Sequence, residues 1–324
     1  MIKWGIIGAG RIAHLFAESL KYSKTGELYA VGSRSLEKAE EFAGKYGVGK
    51  SYGSYEDLLR DPEVNAIYVA TPHSFHKENT LLCLNHGKHV LCEKPFAINH
   101  AESLEMINLA KEKGLFLMEA FWSRYIPGLI EARSIIQSGK IGKVTDCEAS
   151  FVLDHDGDVE DRLLNKKLGG GALLDMGVYP INITQWLLGT ISLKDQKAVI
   201  GKTGVDIDDD LITSYESGAR GKLHFDMHTP FEAKGKFIGT EGTLEIVSPL
   251  FKPQELIITQ DGKSQHLKYP FDGPGYQFEA DHFAECLEKG LLESPEMTHE
   301  ETLQIMKFMD DTRAKWGLVY PGEE

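Results

Sequence analysis

Five short apolar runs fall in the first 120 residues, at 3–7, 28–32, 66–70, 89–92 and 115–118. They alternate with stretches of helical character at 12–22, 36–46, 55–60, 77–86 and 98–113. Each run is too short for a helix, and Gly87 and Gly114 close two of the intervening stretches as glycine closes helices. Alternation at this spacing predicts a parallel, doubly wound sheet with helices on both faces. In such sheets ligands bind beyond the C-terminal ends of the strands. The segments to inspect are therefore 8–11, 33–34, 71–73, 93–95 and 119–124.

After residue 120 the rhythm changes. A helix over 126–138 and a long strand over 143–153 lead to a glycine-rich break, then a helix over 172–188. From 194 to 269 the pattern is mostly strands and turns, with hairpin-like turns at Ser217-Gly218 and at 240–242. Helices over 276–289 and 299–316 end the chain. This half reads as α+β with a mostly antiparallel sheet. The expected organisation is one domain over 1–120 and a second over 121–324. The length of 324 residues suits two cores. With 35 Lys+Arg against 49 Asp+Glu the net charge is −14, which argues against nucleic-acid binding. No apolar run approaches the ~18 residues of a membrane span, and the first ten residues lack a signal-peptide pattern. The four cysteines have no zinc or CxxC spacing and read as reduced thiols of a cytoplasmic protein.

Gly8-Ala9-Gly10-Arg11-Ile12-Ala13 follows the first strand and opens the first helix, a G-x-G-x-x-A fingerprint. Gly8 permits the tight turn, Gly10 lets a pyrophosphate reach the backbone, and the free N–H groups of the helix start, around Arg11 and Ile12, favour an anion. An NAD site usually places Asp or Glu at the end of the second strand, to bond the ribose hydroxyl. Here the segment reads Gly32-Ser33-Arg34-Ser35, with no carboxylate before Glu37. Ser33 and Arg34 suit a 2′-phosphate, with Lys38 adding charge, so NADP is preferred over NAD.

Glu93-Lys94-Pro95 ends the fourth strand, at the sheet edge where a nicotinamide would lie. A lysine there can bond a substrate hydroxyl and stabilise an alkoxide. The second signal is Gly169-Gly170-Gly171-Ala172-Leu173-Leu174-Asp175-Met176-Gly177-Val178-Tyr179-Pro180. Three glycines let the chain approach a ligand closely. On a helix, Asp175 and Tyr179 share one face. A tyrosine with a pKa of ~10 needs a nearby cation to act as a base near neutral pH, and Lys94 can supply it.

These motifs, in this order, resemble the Gfo/Idh/MocA oxidoreductase family. Supporting segments are Glu119 to Pro127 (EAFWSRYIP), Arg162-Leu163, and Phe237 to Leu244 (FIGTEGTL). Many members carry histidine four residues after the aspartate. Tyr179 there, with Trp122 and Arg124, resembles the dimeric dihydrodiol dehydrogenase and NADP-dependent D-xylose dehydrogenase branch. The resemblance implies a Rossmann domain followed by an α+β domain with a large open-faced sheet. It also implies NADP-linked oxidation of a secondary alcohol or hemiacetal carbon of a small sugar, polyol or trans-dihydrodiol. Carried over by position, Lys94, Asp175 and Tyr179 are the catalytic candidates. Trp122, Arg124 and Tyr179 would line the substrate pocket, and Arg162 would approach cofactor or substrate. Thr71, Pro72, His76 and Glu93 join the expected cofactor contacts, and the open sheet would mediate a homodimer.

In the expected mechanism Tyr179 is the acid/base, Lys94 lowers its pKa and stabilises the oxyanion, and Asp175 orients the pair. The rival assignment makes Lys94 the proton carrier. Two other functions remain open: a non-catalytic NADP-binding sensor, and internal redox or elimination with tightly held nucleotide. No metal site is expected. Asp154, His155, Asp156 and Asp158 read as a solvated acidic loop, and Asp206, Asp208, Asp209 and Asp210 as a solvated turn. His76 reads either as a cofactor contact or as a helix cap.

Overall fold

Six strands pair in parallel, each followed closely by a helix or turn: β1 (Ile2–Ile7), β2 (Gly26–Gly32), β3 (Lys50–Tyr52), β4 (Ala66–Val69), β5 (His89–Glu93) and β6 (Leu117–Ala120). The computed structural model describes residues 1–155 and 157–323, so Asp156 of the expected acidic loop lies outside the described residues. The strand order is β3-β2-β1-β4-β5-β6. The order reverses between β1 and β4, which is the switch point where ligands of such sheets bind. The connecting helices are α1 (Arg11–Leu20), α2 (Leu36–Tyr46), α3 (Tyr55–Leu59), α4 (His76–Asn85) and α5 (His100–Lys113). Ser35, Ser54 and Asn99 cap α2, α3 and α5 by accepting backbone N–H bonds, and Gly47 and Gly114 end α2 and α5 in the left-handed conformation. The strands are buried on both faces, which is why they read as short apolar runs.

The chain divides into two compact units, Met1–Trp122 with Asp272–Leu303 and Ser123–Phe271 with Gln304–Glu324. Helix α8 (Gln277–Glu288) belongs to the first unit and completes its core. Its Phe283 packs against Trp4, 4.8 Å between ring centroids, and Phe116, 4.7 Å. Trp4 meets Phe16 edge-on, and Phe16 stacks on Tyr68 at 3.8 Å. Each such aromatic pair adds ~0.5–1.5 kcal/mol beyond area burial. The boundary between the units falls within α9 (His299–Ala314).

The second unit is built on eight strands: β7 (Val144–Val152), β8 (Ile191–Ile200), β9 (Asp206–Tyr215), β10 (Arg220–Asp226), β11 (Glu232–Gly239), β12 (Thr243–Ile246), β13 (Glu255–Gln260) and β14 (Lys263–Lys268). Their order is β14-β13-β12-β11-β7-β10-β9-β8, antiparallel except for β7 with β10. Helices α6 (Pro127–Gln137) and α7 (Val178–Leu188) pack on one face. The other face forms an open concavity of about 1060 Å³ lined by alternate strand residues such as Ser150, Ile212, His224 and Lys234.

Two sequence expectations need correction here. Residues 206–210 are not a solvated turn: they open β9, and Asp206 and Asp209 are fully buried. The helix expected over 172–188 begins instead with a π turn, Leu173–Gly177, which runs on into α7. No helix among the described residues is long and apolar enough to cross a membrane.

Candidate active site

In the first unit the dinucleotide cradle is built at the end of β1. Gly8 has φ +98°, and a Cβ there would lie 2.8 Å from the Ala70 carbonyl oxygen, so only glycine fits. Gly10 is the N-cap of α1, with no side chain capping the helix and no acidic residue in its first turn. A Cβ on Gly10 would meet nothing within 4 Å. The first N–H groups, at Arg11 and Ile12, are therefore left for an anion that can come close to bare backbone. That arrangement fits a pyrophosphate.

At the end of β2, Ser33 is buried and its Oγ accepts the Ser35 N–H at 3.3 Å. Arg34 is exposed, its guanidinium 5.6 Å from the centre of the Phe75 ring. Lys38 is exposed one turn into α2. No carboxylate stands at the strand end, so two cations and a serine hydroxyl occupy the segment.

His76 sits where the segments after β4 and β5 meet. Its ring is buried, with Nδ1 2.8 Å from the Pro95 carbonyl oxygen and Nε2 2.9 Å from that of Thr71. It is a strut between the Thr71-Pro72 and Glu93–Pro95 segments. Asn79 adds a bond to Thr71 Oγ1 at 3.1 Å. Glu93 is turned inward: Tyr68 donates to its Oε1, and its Oε2 accepts the Lys94 N–H at 3.1 Å. The fully buried Glu279 of α8 lies close enough for the Glu93 charge to join burial in pushing its pKa well up. Lys94 is half-buried and precedes Pro95 through a cis peptide bond. Sequence reasoning missed Tyr68 and Glu279. Tyr68 lies inside an apolar run, and Glu279 carries no local signal for burial.

Trp122, also in the first unit, is buried and stacks on Tyr276 at 4.3 Å. Tyr276 was not singled out in the sequence.

In the second unit the structure brings Arg162, Asp175 and Tyr179 together. Arg162 Nη1 donates to Asp175 Oδ1 at 2.8 Å, and Asp175 is nearly buried. The carboxylate raises the guanidinium pKa against the opposing effect of burial, and Tyr179 adds to the rise. The Tyr179 ring packs between Phe251, at 5.0 Å, and Phe151, at 5.7 Å. Arg124 is fully buried, bonds Asn182 Oδ1 at 2.8 Å through Nε, and lies 5.6 Å from the Trp186 ring. It is thereby tied to α7 one turn beyond Tyr179.

Gly170 and Gly171 make a close approach to the protein itself. A Cβ on Gly170 would lie 2.6 Å from the Leu163 carbonyl oxygen, and one on Gly171 would lie 2.3 Å from Asp206 Oδ1. Elsewhere on the second unit, Asp208, Asp210 and His224 bring one side-chain heteroatom each within 4.8 Å of one another. Both His224 nitrogens are already committed, to Asp210 at 3.0 Å and Asp226 at 2.9 Å, so this is an ion-pair cluster.

Residues 2–121 match the family described as oxidoreductases with an NAD-binding Rossmann fold, and residues 129–245 match the GFO/IDH/MocA C-terminal domain. The chain belongs to the Gfo/Idh/MocA oxidoreductase family. It is similar to the trans-1,2-dihydrobenzene-1,2-diol dehydrogenase of Mus musculus, 36% identical over 337 residues, covering 100% of this chain and 99% of that one. The Homo sapiens enzyme of the same name is 34% identical over 341 residues, with the same coverage. Among solved structures, the 3-ketoreductase KijD10 from Actinomadura kijaniata, in complex with NADP and TDP-benzene, aligns with a TM-score of 0.88 at 27% identity, over 97% of each chain. As a family member this chain is an NAD(P)-dependent dehydrogenase or reductase that moves hydride between a nicotinamide and a CH–OH carbon.

Proposed function

We propose that the protein is an NADP-linked oxidoreductase of small vicinal diols, polyols or sugars. The observation that carries the cofactor choice is the end of β2. Ser33, Arg34 and Lys38 stand where an NAD enzyme places a carboxylate, and a 2′-phosphate would be matched in charge and in hydrogen-bond donors. The substrate class is supported by relatives named for a trans-dihydrodiol and by a structural relative crystallised as an aldose-aldose oxidoreductase. Residues 1–120 are assigned to the cofactor and 121–324 to substrate and self-association, apart from 272–303, which belong to the first compact unit. Gly8, Gly10, Arg11, Ile12, Ser33, Arg34, Lys38, Thr71, Pro72, His76, Glu93, Lys94 and Arg162 are assigned to the cofactor, His76 and Glu93 by shaping its loops. The protein is placed in the cytoplasm, supported by four free cysteines, all buried.

Bound NADP supplies the hydride acceptor or donor. The chain supplies the proton and the orientation. Tyr179 holds the substrate hydroxyl and takes its proton, Lys94 stabilises the developing oxyanion, and Asp175, fixed by Arg162, orients the pair. Trp122 and Arg124 bound the substrate. Replacing Tyr179 by Phe tests this set. The expected result is a fall in kcat of ~10²–10⁴-fold with NADP⁺ affinity intact. Turnover near that of the wild type would transfer the proton to Lys94.

A further inference from the structure

Four carboxylates in the five residues Asp206–Asp210 are an unlikely core segment, yet Asp206 and Asp209 have no exposure at all. Two ionised carboxylates side by side in a buried site would repel strongly and lose their hydration. The two groups face each other within hydrogen-bonding reach. No donor among the described residues reaches Asp206 Oδ1 or either oxygen of Asp209. One proton held between the two carboxyls satisfies both.

The partners of Asp206 decide which group carries the charge. Its Oδ2 accepts the Leu173 N–H at 2.5 Å, with the Ala172 N–H beside it. Those N–H groups open the continuous helical run of the π turn and α7, where no intrahelical acceptor exists for them. Its Oδ1 fills the space a side chain at Gly171 would need. Among the described residues no backbone N–H reaches Asp209 in this way. Burial raises the Asp206 pKa too, but the bonds from Asp209 and from the Leu173 and Ala172 N–H groups oppose it, whereas for Asp209 burial, the Asp206 charge and the neighbouring Asp208 and Asp210 all push upward, to about 11. From the C-terminal segment, Tyr320 donates to the Gly170 carbonyl oxygen at 2.6 Å and has Arg313 over its ring. The glycine run is thus gripped by Tyr320 at one end and by Asp206 at the other, two residues before Asp175.

We propose that Asp206 and Asp209 share a single proton, Asp209 donating it to an ionised Asp206, and that this buried monoanion is a positioning pair that fixes the turn Leu173–Gly177 and so aims Asp175 and Tyr179. The positioning role rests on the proton-handling assignment of those two residues; the proton sharing does not. The pair touches neither substrate nor cofactor in this account.

Infrared spectroscopy of the whole protein reads the proton directly. A carboxylic-acid C=O band should persist at about pH 9, far above the ordinary carboxylate range. It should disappear in Asp209→Asn. Glu279 contributes its own acid band, so the wild-type minus Asp209→Asn difference carries the assignment. Kinetics read the positioning. Asp209→Ala, which leaves Asp206 without its donor, should lower kcat by roughly 10- to 100-fold, more than it changes KM. Asp209→Asn, whose amide can still donate, should recover most of that loss. A difference spectrum without an acid band overturns the shared proton. Equal kcat in wild type, Asp209→Asn and Asp209→Ala overturns the positioning role. Asp175→Asn and Tyr179→Phe are measured in parallel. If both turn over like wild type while the acid band is present, the catalytic assignment has failed and the shared proton stands.

Discussion

Gly8 and Arg162 show how much single residues contribute here. At Gly8 the positive φ and the Ala70 carbonyl both exclude a side chain. Gly8→Ala should therefore cost about 1–3 kcal/mol in backbone strain and weaken dinucleotide binding together with it. Urea unfolding and NADP⁺ titration of the same preparation check both effects, and unchanged values would remove the tight-turn argument. Arg162 is half exposed at its side chain, so its pair with Asp175 is screened, and its main contribution is orientation. Arg162→Met should lower kcat while leaving the melting temperature within a few degrees. A large loss of stability with kcat preserved would make the pair structural. The residues of the fingerprint and of Ser33-Arg34 were legible in the sequence because their chemistry is local: a glycine turn and a charge at a strand end. Asp206 and Asp209 were not legible. The run DIDDD has no apolar alternation, and Asp206 is buried by its packing against Gly171 and the Leu173 N–H, with a register shift beside Val199 and Ile200 at the start of the strand.

At the scale of elements, strand–helix alternation made the parallel sheet readable, and the hairpin turns at Gly218 and Gly242 fell where glycine was read as a turn. β3 escaped because three residues carry no period. The π turn escaped because the contact made at its start, the Leu173 N–H to Asp206, joins residues 33 positions apart. The open face of the second sheet carries a pH-dependent tie between β9 and β10. His224 lies between Asp210 and Asp226, and Asp226 also accepts the His228 and Thr229 N–H groups of the next turn. Burial lowers the imidazole pKa, but the bonds to Asp226 and Asp210 outweigh it and the net direction is up. A raised folded-state value means that this stabilisation is complete below the unfolded value of about 6.5 and is lost as pH rises through the folded value. The melting temperature of wild type should exceed that of His224→Gln most at about pH 5.5, with the gap closing by about pH 8.5. A gap that widens with pH would contradict the imidazolium assignment.

For the molecule as a whole, the open face of the second sheet bears on self-association. The face mixes Lys222, Lys234 and Lys236 with Glu148, Glu232 and Glu245 around the exposed Ile212. A surface with both signs interleaved about an apolar centre can pair with its own two-fold copy. We therefore predict a dimer by sedimentation at micromolar concentration, shifted to monomer by Ile212→Lys. A wild-type monomer under those conditions would remove the sheet face as a self-association surface. The family fold was readable across nearly the whole chain, whereas the packing of α8 into the core around Trp4 had no signal in the sequence beyond its helical spacing. The most direct test of NADP-linked chemistry is initial-rate oxidation of a trans-dihydrodiol and of aldoses, followed by the absorbance of the reduced nicotinamide. It compares NADP⁺ with NAD⁺ for wild type and Arg34→Ala. Turnover should favour NADP⁺ in wild type, with the preference lost in Arg34→Ala through a raised KM for NADP⁺. Equal use of both cofactors by the two proteins, or NADP⁺ binding without turnover of any diol or sugar, would contradict NADP-linked chemistry.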